Sequence, residues 1–171
     1  MRTLLVVLAT CFTALAAGGE TLRVSVFATA PDIDKYLSTT AARNRACERL
    51  KRIGATRLFL QGRLKDTYIP PERMREIRDD MVARGFQVAG GLDFVPGEGY
   101  GVKQTGKLAW LNYQNPKTRE DLAAYFRAQA PLFDEFILDD AFCTDDRSAE
   151  SERARGSRSW SDYRRRLMVD V

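Results

Sequence analysis

The chain alternates short apolar stretches with amphipathic ones, and the pattern recurs at intervals of about 30 residues. Residues 22–27, 56–61 and 86–90 have the length and the β-branched or aromatic content of strands. Apolar residues at helical spacing follow, and helix start signals precede them at Thr39 or Thr40, at Pro70-Pro71 and at Asn115-Pro116. This alternation is typical of βαβ units and therefore predicts a parallel sheet with right-handed crossovers.

The fourth apolar stretch, residues 133–138, ends in two adjacent carboxylates, Asp139 and Asp140. Aspartate is depleted in strands, so two aspartates at the end of a strand indicate a role other than strand formation. In parallel α/β folds the C-terminal strand ends are where ligands bind. Asp139 and Asp140 are therefore the candidate catalytic residues; the alternative is that they cap a turn or lie in solvent. Because successive side chains of a strand point to opposite faces, only one of the two can face a central pocket.

Four strand–helix units fit between residue 22 and the last predicted helix, which follows Ser159 and reaches Val171 without a stop signal. A closed barrel needs eight such units and roughly 250 residues. The sequence therefore predicts an α/β fold of parallel (β/α) units, the N-terminal half of a TIM barrel with about four strands and four helices, truncated at its C-terminus. A small, complete open sheet is the alternative. Residues 28–40 and 144–159 are interpreted as loops.

Residues 1–17 have the pattern of a signal peptide. Arg2 precedes an apolar run that extends to about Leu15, and Ala14-Leu15-Ala16 matches a cleavage site. The run is shorter than the roughly 20 residues that a membrane span needs. We expect cleavage and a secreted or periplasmic domain over residues 18–171 that has no membrane association; a single membrane anchor is the alternative.

Composition narrows the chemistry that this chain can perform. It has no histidine, which excludes histidine triads, histidine acid–base catalysis and histidine metal ligands. Its net charge of +4 is spread along the chain and accompanies no binding motif for nucleic acid, so no nucleic-acid partner is expected. Cys47 and Cys143 could form a disulfide in an oxidising compartment or fill small buried sites. Catalysis is left to carboxylate, Cys, Tyr, Lys or Arg side chains, and no cofactor is expected.

A long irregular insert, residues 91–115, follows the third predicted strand. Loops of this length in a compact domain are more often functional than not. Its glycines do not match a phosphate-binding fingerprint and are interpreted as turn formers. Asp93 is a second strand-end carboxylate and a candidate for substrate binding. Trp110 and Tyr113 are candidates for stacking on a sugar ring; packing of the insert onto the domain is the alternative role for each.

Most glycoside hydrolases use two carboxyl groups that flank the scissile bond. They lie about 5 Å apart in retaining enzymes and more than about 6.5 Å apart in inverting ones. Adjacent residues of one strand, such as Asp139 and Asp140, rarely form that pair. The partner is therefore expected on another strand, and Asp93 is the strand-end carboxylate that the sequence offers.

The segment Phe133-Asp134-Glu135-Phe136-Ile137-Leu138-Asp139-Asp140 resembles the fourth strand of secreted TIM-barrel glycoside hydrolases. In α-galactosidase-type barrels that strand ends in Lys-aromatic-Asp, and its Asp is the nucleophile. Asp139 stands at that Asp, while Ile137 and Leu138 stand at the Lys and aromatic positions. In chitinase-type barrels a Glu stands where this chain has Ala141, which disfavours that mechanism. The resemblance spans about ten residues as a motif; it implies a carbohydrate substrate, and a general acid on a later strand.

Two further functions stay open at this point. The first is an exported carbohydrate-binding module without catalysis, in which the carboxylates and the insert aromatics only hold a glycan. The second is a divalent-metal site that Asp139, Asp140, Asp145 and Asp146 would form, because oxygen ligands suit Mg²⁺ and Ca²⁺. Their spacing matches no known metal-binding loop, and no metal is expected.

Overall fold

The computed structural model of the chain describes residues 23–139 and 144–170. The predicted signal peptide, Asp140 and Cys143 lie outside these residues. What the sequence predicts for them stays a prediction.

Strands and helices alternate along the described chain. The strands are β1 (Val24–Ala28), β2 (Ala55–Gln61), β3 (Arg63–Leu64), β4 (Thr67–Tyr68), β5 (Gln87–Asp93) and β6 (Phe136–Asp139). The helices are α1 (Ala30–Tyr36), α2 (Thr40–Arg52), α3 (Pro71–Ala83), α4 (Pro116–Gln129), α5 (Ala149–Arg155) and α6 (Trp160–Asp170).

One sheet contains β1, β2, β5 and β6 in that order, and every neighbouring pair in it is parallel. The two short strands β3 and β4 form a separate antiparallel hairpin just after β2. Helices connect the strands of the parallel sheet, as the crossover between parallel strands requires. The predicted fold is confirmed: the described chain forms half of a TIM barrel.

Local hydrogen bonds fix where the helices begin. The Thr39 hydroxyl accepts the N–H of Ala42 at 3.1 Å and caps α2. The Asn115 side chain accepts the N–H of Lys117 at 3.0 Å and caps α4. Pro71 opens α3, where its missing N–H leaves no bond unmade. All three helices begin where the sequence predicts them.

The loop predicted for residues 28–40 contains α1, so that prediction is wrong. Thr29 and Asp32 form a capping box. The N–H of Asp32 donates to the Thr29 hydroxyl at 3.3 Å, and the N–H of Thr29 donates to Asp32 Oδ2 at 3.2 Å. Pro31 lies in the first turn, where proline is compatible with a helix. The sequence therefore contained a start signal that its proline obscured.

The solvated loop predicted for residues 144–159 is also wrong in part, because α5 forms within it. The Ser148 hydroxyl accepts the N–H of Ser151 at 3.2 Å and caps this helix. Asp146, two residues before the cap, is only 3% exposed. The polar side chains of this segment thus bond one another and the rest of the protein instead of lying in solvent.

The helices cover one face of the parallel sheet. Phe136 of β6 packs against the main apolar cluster on that face. The largest fully buried side chains of the cluster are those of Ile33, Leu58, Leu60, Met74, Ile77 and Met81. A second cluster joins α4, α6 and the insert to the end of β5 through Leu92, Leu111, Tyr113, Leu122 and Leu167. The opposite face of the sheet corresponds to the interior of the half-barrel.

Gly90, predicted in the third strand, lies within β5, and so does Gly91, which is therefore not the turn former that the sequence suggested for the insert. A Cβ atom at Gly90 would collide with the rings of Phe136 and Phe133 on the helix side. A Cβ atom at Gly91 would lie 2.8 Å from the Phe27 ring on the interior side. Each glycine therefore makes room for aromatic side chains on one face of the sheet.

Cys47 is buried and free, with its sulfur 3.7 Å from that of Met81. It thus takes the role of a small buried residue, one of the two that the sequence allowed. Among the described residues, none of the helices combines the length and the hydrophobicity that crossing a membrane requires.

Candidate functional site at the strand ends

Asp93 and Asp139 are the last residues of β5 and β6, and they lie directly opposite each other in this parallel pair. Paired strands are about 4.8 Å apart, so the two backbone positions are close neighbours. Leu92 and Phe136 pack on the helix side. Because side chains alternate along a strand, Asp93 and Asp139 both belong to the interior face.

The two aspartates differ in exposure. Asp93 is half-buried, whereas Asp139 is exposed on β6, which is at one edge of the sheet. A cavity of about 450 Å³ lies on the helix side of β1, between α1 and α2, and neither aspartate lines it. In the described part of the chain the pair therefore lies on an open rim. Its catalytic role stays a prediction.

The strand ends next to this rim are held together on the interior side. The Phe27 ring of β1 lies across the strands against Gly91, two residues before Asp93. Gln61, at the end of β2, is 1% exposed, and its Oε1 accepts the N–H of Ala30 at 3.1 Å. These contacts fix the ends of three strands relative to one another at the base of the site.

Tyr125 of α4 joins two strand ends from the helix side. Its hydroxyl accepts the N–H of Gly62 at 3.1 Å and donates to the carbonyl of Gly91 at 3.2 Å. Burial raises the pKa of the Tyr125 hydroxyl well above its usual range, so the group stays protonated and able to donate. The bridge fixes the backbone of β5 immediately before it reaches Asp93.

The insert after β5 folds back on itself. The N–H of Gln104 donates to the Trp110 carbonyl at 3.0 Å, and the N–H of Asn112 donates to the Val102 carbonyl at 2.7 Å. These bonds pair residues 102–104 with residues 110–112 in what we call the insert ladder; residues 105–109 form its tip. One antiparallel bridge, between Lys103 and Leu111, lies within this pairing.

Trp110 and Tyr113, the two aromatics predicted to contact substrate, have different surroundings. Trp110 is half-buried on the insert ladder. Tyr113 is 2% exposed and lies in the second apolar cluster, with its ring centroid 6.0 Å from that of Phe94. The packing role that the sequence left open thus accounts for most of the Tyr113 surface. A contact with substrate stays a prediction for both residues, and Trp110 has more of its surface free for one.

Asp146 holds the tip of the insert ladder. Its Oδ1 accepts the N–H of Thr105 at 2.9 Å and the hydroxyl of Thr105 at 2.8 Å. Its Oδ2 accepts the hydroxyls of Ser148 at 2.8 Å and Ser151 at 2.6 Å. Burial by itself raises the pKa of this carboxyl, but the hydrogen bonds from Ser151, Thr105 and Ser148 outweigh burial and lower it to about 2. Asp146 is therefore an ionised, fully bonded buried carboxylate.

The alternative of a divalent-metal site gains no support from this geometry. Within residues 23–139 and 144–170 no group of three or more potential metal ligands comes together. Asp145 and Asp146 direct their oxygens at N–H and O–H groups of the protein, so these oxygens are already in use. From the sequence, Asp145 and Asp146 were candidates only for metal ligands. A buried structural Asp next to Ser and Thr has no distinctive sequence pattern.

A parallel half-barrel with carboxylates paired at its C-terminal strand ends is an arrangement typical of barrel-type hydrolases. Comparison with known families agrees with this class. The family model described as "Probable glycosyl hydrolase, catalytic domain" matches residues 13–171, and the chain belongs to this family. The resemblance to glycoside hydrolases is thereby confirmed at the level of the family. No curated protein and no solved structure matches the chain.

Proposed function

We propose that this chain forms part of the catalytic centre of a secreted glycoside hydrolase. In the proposal Asp139 acts on the carbohydrate as nucleophile or as a charge that stabilises the oxocarbenium-like transition state. Asp93 has an auxiliary role beside it, Trp110 and Tyr113 are the aromatic contacts to substrate, and Asp140 hydrogen-bonds to substrate. The observation that carries the proposal is the pairing of Asp93 with Asp139 at adjacent strand ends, on the face away from the helices.

Family membership supports the reaction class and a carbohydrate substrate. The general acid is expected on a strand other than β1–β6, as in the resemblance to α-galactosidase-type barrels. The protein to assay is therefore the longest natural chain that contains residues 1–171. The signal-like residues 1–17 support export, and recovery of the mature protein outside the cytoplasm would test it.

The test is Asp139→Asn, which removes the charge and preserves size. Hydrolysis of a panel of nitrophenyl glycosides should fall by at least about 100-fold, because the charge would act in the transition state. Asp134→Asn is the matched control, since Asp134 is an exposed residue that precedes β6, at the opposite end of the strand. Circular dichroism and thermal unfolding should be unchanged in both variants. Full activity of a folded Asp139→Asn protein would refute the assignment.

A non-catalytic carbohydrate-binding module remains the second candidate, and the exposed, open position of Asp139 favours it. The two candidates differ in turnover. Calorimetric binding of an oligosaccharide, without hydrolysis of any glycoside in the panel, would favour the module. Hydrolysis that depends on Asp139 would exclude it.

A further inference from the structure

We propose that Asp145 and Asp146 are positioning residues for the site at the strand ends. They would fasten the tip of the insert ladder to the segment that continues from β6, and this would fix Trp110 relative to Asp139. The inference rests on the proposed function for its catalytic consequence. Its structural part rests on hydrogen bonds between two loops. We call these bonds the clasp; the residues that form it are Gln104, Thr105, Thr144, Asp145 and Asp146.

Asp145 forms the outer half of the clasp. Its Oδ2 accepts the N–H of Lys107 at 2.8 Å, and its Oδ1 accepts the N–H of Leu108 at 3.3 Å and the Gln104 amide at 2.9 Å. A carboxylate that accepts several N–H groups of one turn fixes that turn more firmly than a neutral acceptor would. Gly106 allows this approach, because a Cβ atom there would collide with the Asp145 carboxylate.

Asp146 forms the inner half, through the bonds to Thr105 described above. Thr144 adds two further links: its hydroxyl donates to Gln104 Oε1 at 2.7 Å and accepts the N–H of Asp146 at 3.1 Å. Gln104 and Asp146 are 3% exposed, so water competes little for these bonds. Three consecutive residues, Thr144 to Asp146, thus bind residues 104–108 of the insert.

The clasp is connected to both parts of the candidate site. On the insert side, Gln104 is paired with Trp110 through a backbone hydrogen bond. On the other side, only residues 140–143 separate Asp139 from Thr144, and a chain of that length spans at most about 18 Å. Loosening the clasp would therefore release the ladder that carries Trp110 while leaving β5 and β6 paired.

The experiment compares Asp145→Ala, Gly106→Ala and Asp146→Asn with wild type. Asp145→Ala removes the acceptor, and Gly106→Ala displaces it from the opposite loop without changing any charge. Asp146→Asn keeps one carbonyl acceptor for Thr105 and is expected to be intermediate. Glu152→Ala is the control: Glu152 is an exposed residue of α5 that bonds only Arg155 among its described side-chain partners.

The structural readouts do not depend on activity. Trypsin should cleave after Lys107 at least about 10-fold faster in the first two variants, since local opening becomes easier by about 1.4 kcal/mol or more. Trp110 emission, recorded in a Trp160→Phe background, should shift to longer wavelength. Circular dichroism should stay native, and Glu152→Ala should match wild type. Unchanged cleavage and emission in both Asp145→Ala and Gly106→Ala would overturn the clasp.

The catalytic readout uses a glycoside that the wild-type protein hydrolyses. Loss of the clasp should raise KM more than it lowers kcat, because Trp110 is proposed to bind substrate and Asp139 stays on β6. A loosened tip with wild-type KM and kcat would overturn the positioning role. If wild-type protein hydrolyses no glycoside, the proposed function fails and the positioning role fails with it, whereas the cleavage and emission data still decide whether the clasp exists.

Discussion

The Tyr125 hydroxyl should contribute measurably to the stability of the domain, because it bridges the ends of two strands in a buried position. Tyr125→Phe deletes one oxygen and leaves the ring in place. Tyr125 is 5% exposed, so the N–H of Gly62 and the carbonyl of Gly91 would lose their partner where water has little access. The change therefore isolates two hydrogen bonds from the packing of the aromatic ring.

The magnitude follows from those two bonds. A buried hydrogen bond contributes about 1 kcal/mol net, and leaving a buried group unsatisfied costs about 1–3 kcal/mol. We expect the free energy of unfolding to fall by about 2 kcal/mol. For a chain of 171 residues this lowers Tm by roughly 4–8 °C.

The measurement is urea unfolding followed by tryptophan fluorescence and circular dichroism, with coincident transitions as the test of two-state behaviour. Tyr68→Phe is the matched control: Tyr68 is 37% exposed, and its ring can keep its contact with the Arg63 guanidinium, 4.7 Å from the ring centroid. The control should change stability by less than about 0.5 kcal/mol. A loss below about 0.5 kcal/mol for Tyr125→Phe would refute the bridging role of its hydroxyl.

Two other predictions concern packing and charge. Gly90→Ala should destabilise the domain by about 1–3 kcal/mol in urea unfolding, because its Cβ collides with the Phe136 and Phe133 rings in the core; equal or higher stability would contradict the role of Gly90 as a space for these rings. Acid should weaken the fold through Asp146, whose pKa is about 2 in the folded protein and 3.8 in the reference state. A depressed folded pKa means that its contribution, about 2 kcal/mol, is present above pH 4 and is lost as the pH falls towards 2. In the Asp146→Asn variant, the free energy of unfolding should fall less between pH 4 and pH 2 than in the wild-type protein. An identical fall in both proteins would show that other carboxylates cause the acid sensitivity.

The parallel sheet and three of its helices could be predicted because their signals are local. Thr39, Pro71 and Asn115 each stand before a stretch of apolar residues at helical spacing, and the structure begins a helix at each. The capping box of Thr29 and Asp32 was equally local, but Pro31 pointed to a loop. Proline disrupts the interior of a helix but is tolerated in its first turn. The position of Pro31, two residues after the capping residue Thr29, is therefore compatible with a helix.

The clasp and the glycines of β5 could not be predicted, because their reasons lie far away in the chain. A side chain at position 90 would collide with Phe136, and a side chain at position 106 would collide with Asp145. Asp146 is buried because Thr105 supplies donors about 40 residues earlier. A polar segment such as residues 144–159 therefore predicts a solvent-exposed loop as long as the hydrogen-bond partners of its side chains are unknown.

For the candidate site, the sequence indicated the carboxylates but not the register that brings two of them together. Asp93 and Asp139 lie on adjacent strands. If the register between these strands were shifted by one residue, one of the two side chains would point to the opposite face of the sheet. Burial of Leu92 and Phe136 on the helix side fixes that choice. The packing of Leu92 and Phe136 against the helices therefore determines which face of the sheet carries Asp93 and Asp139.

The pairing of Asp93 with Asp139 also limits what these two residues can do without help. Retaining glycoside hydrolysis needs carboxyl groups about 5 Å apart on either side of the scissile bond. Residues in register on adjacent strands have nearly that spacing, but they extend from one wall of the site and approach a sugar from the same side. Together they can supply a nucleophile and a group that orients it, while protonation of the leaving oxygen has to come from the opposite wall. We therefore expect that an acid from a strand facing β5 and β6 completes the reaction, and that Asp93→Asn will reduce activity less than Asp139→Asn.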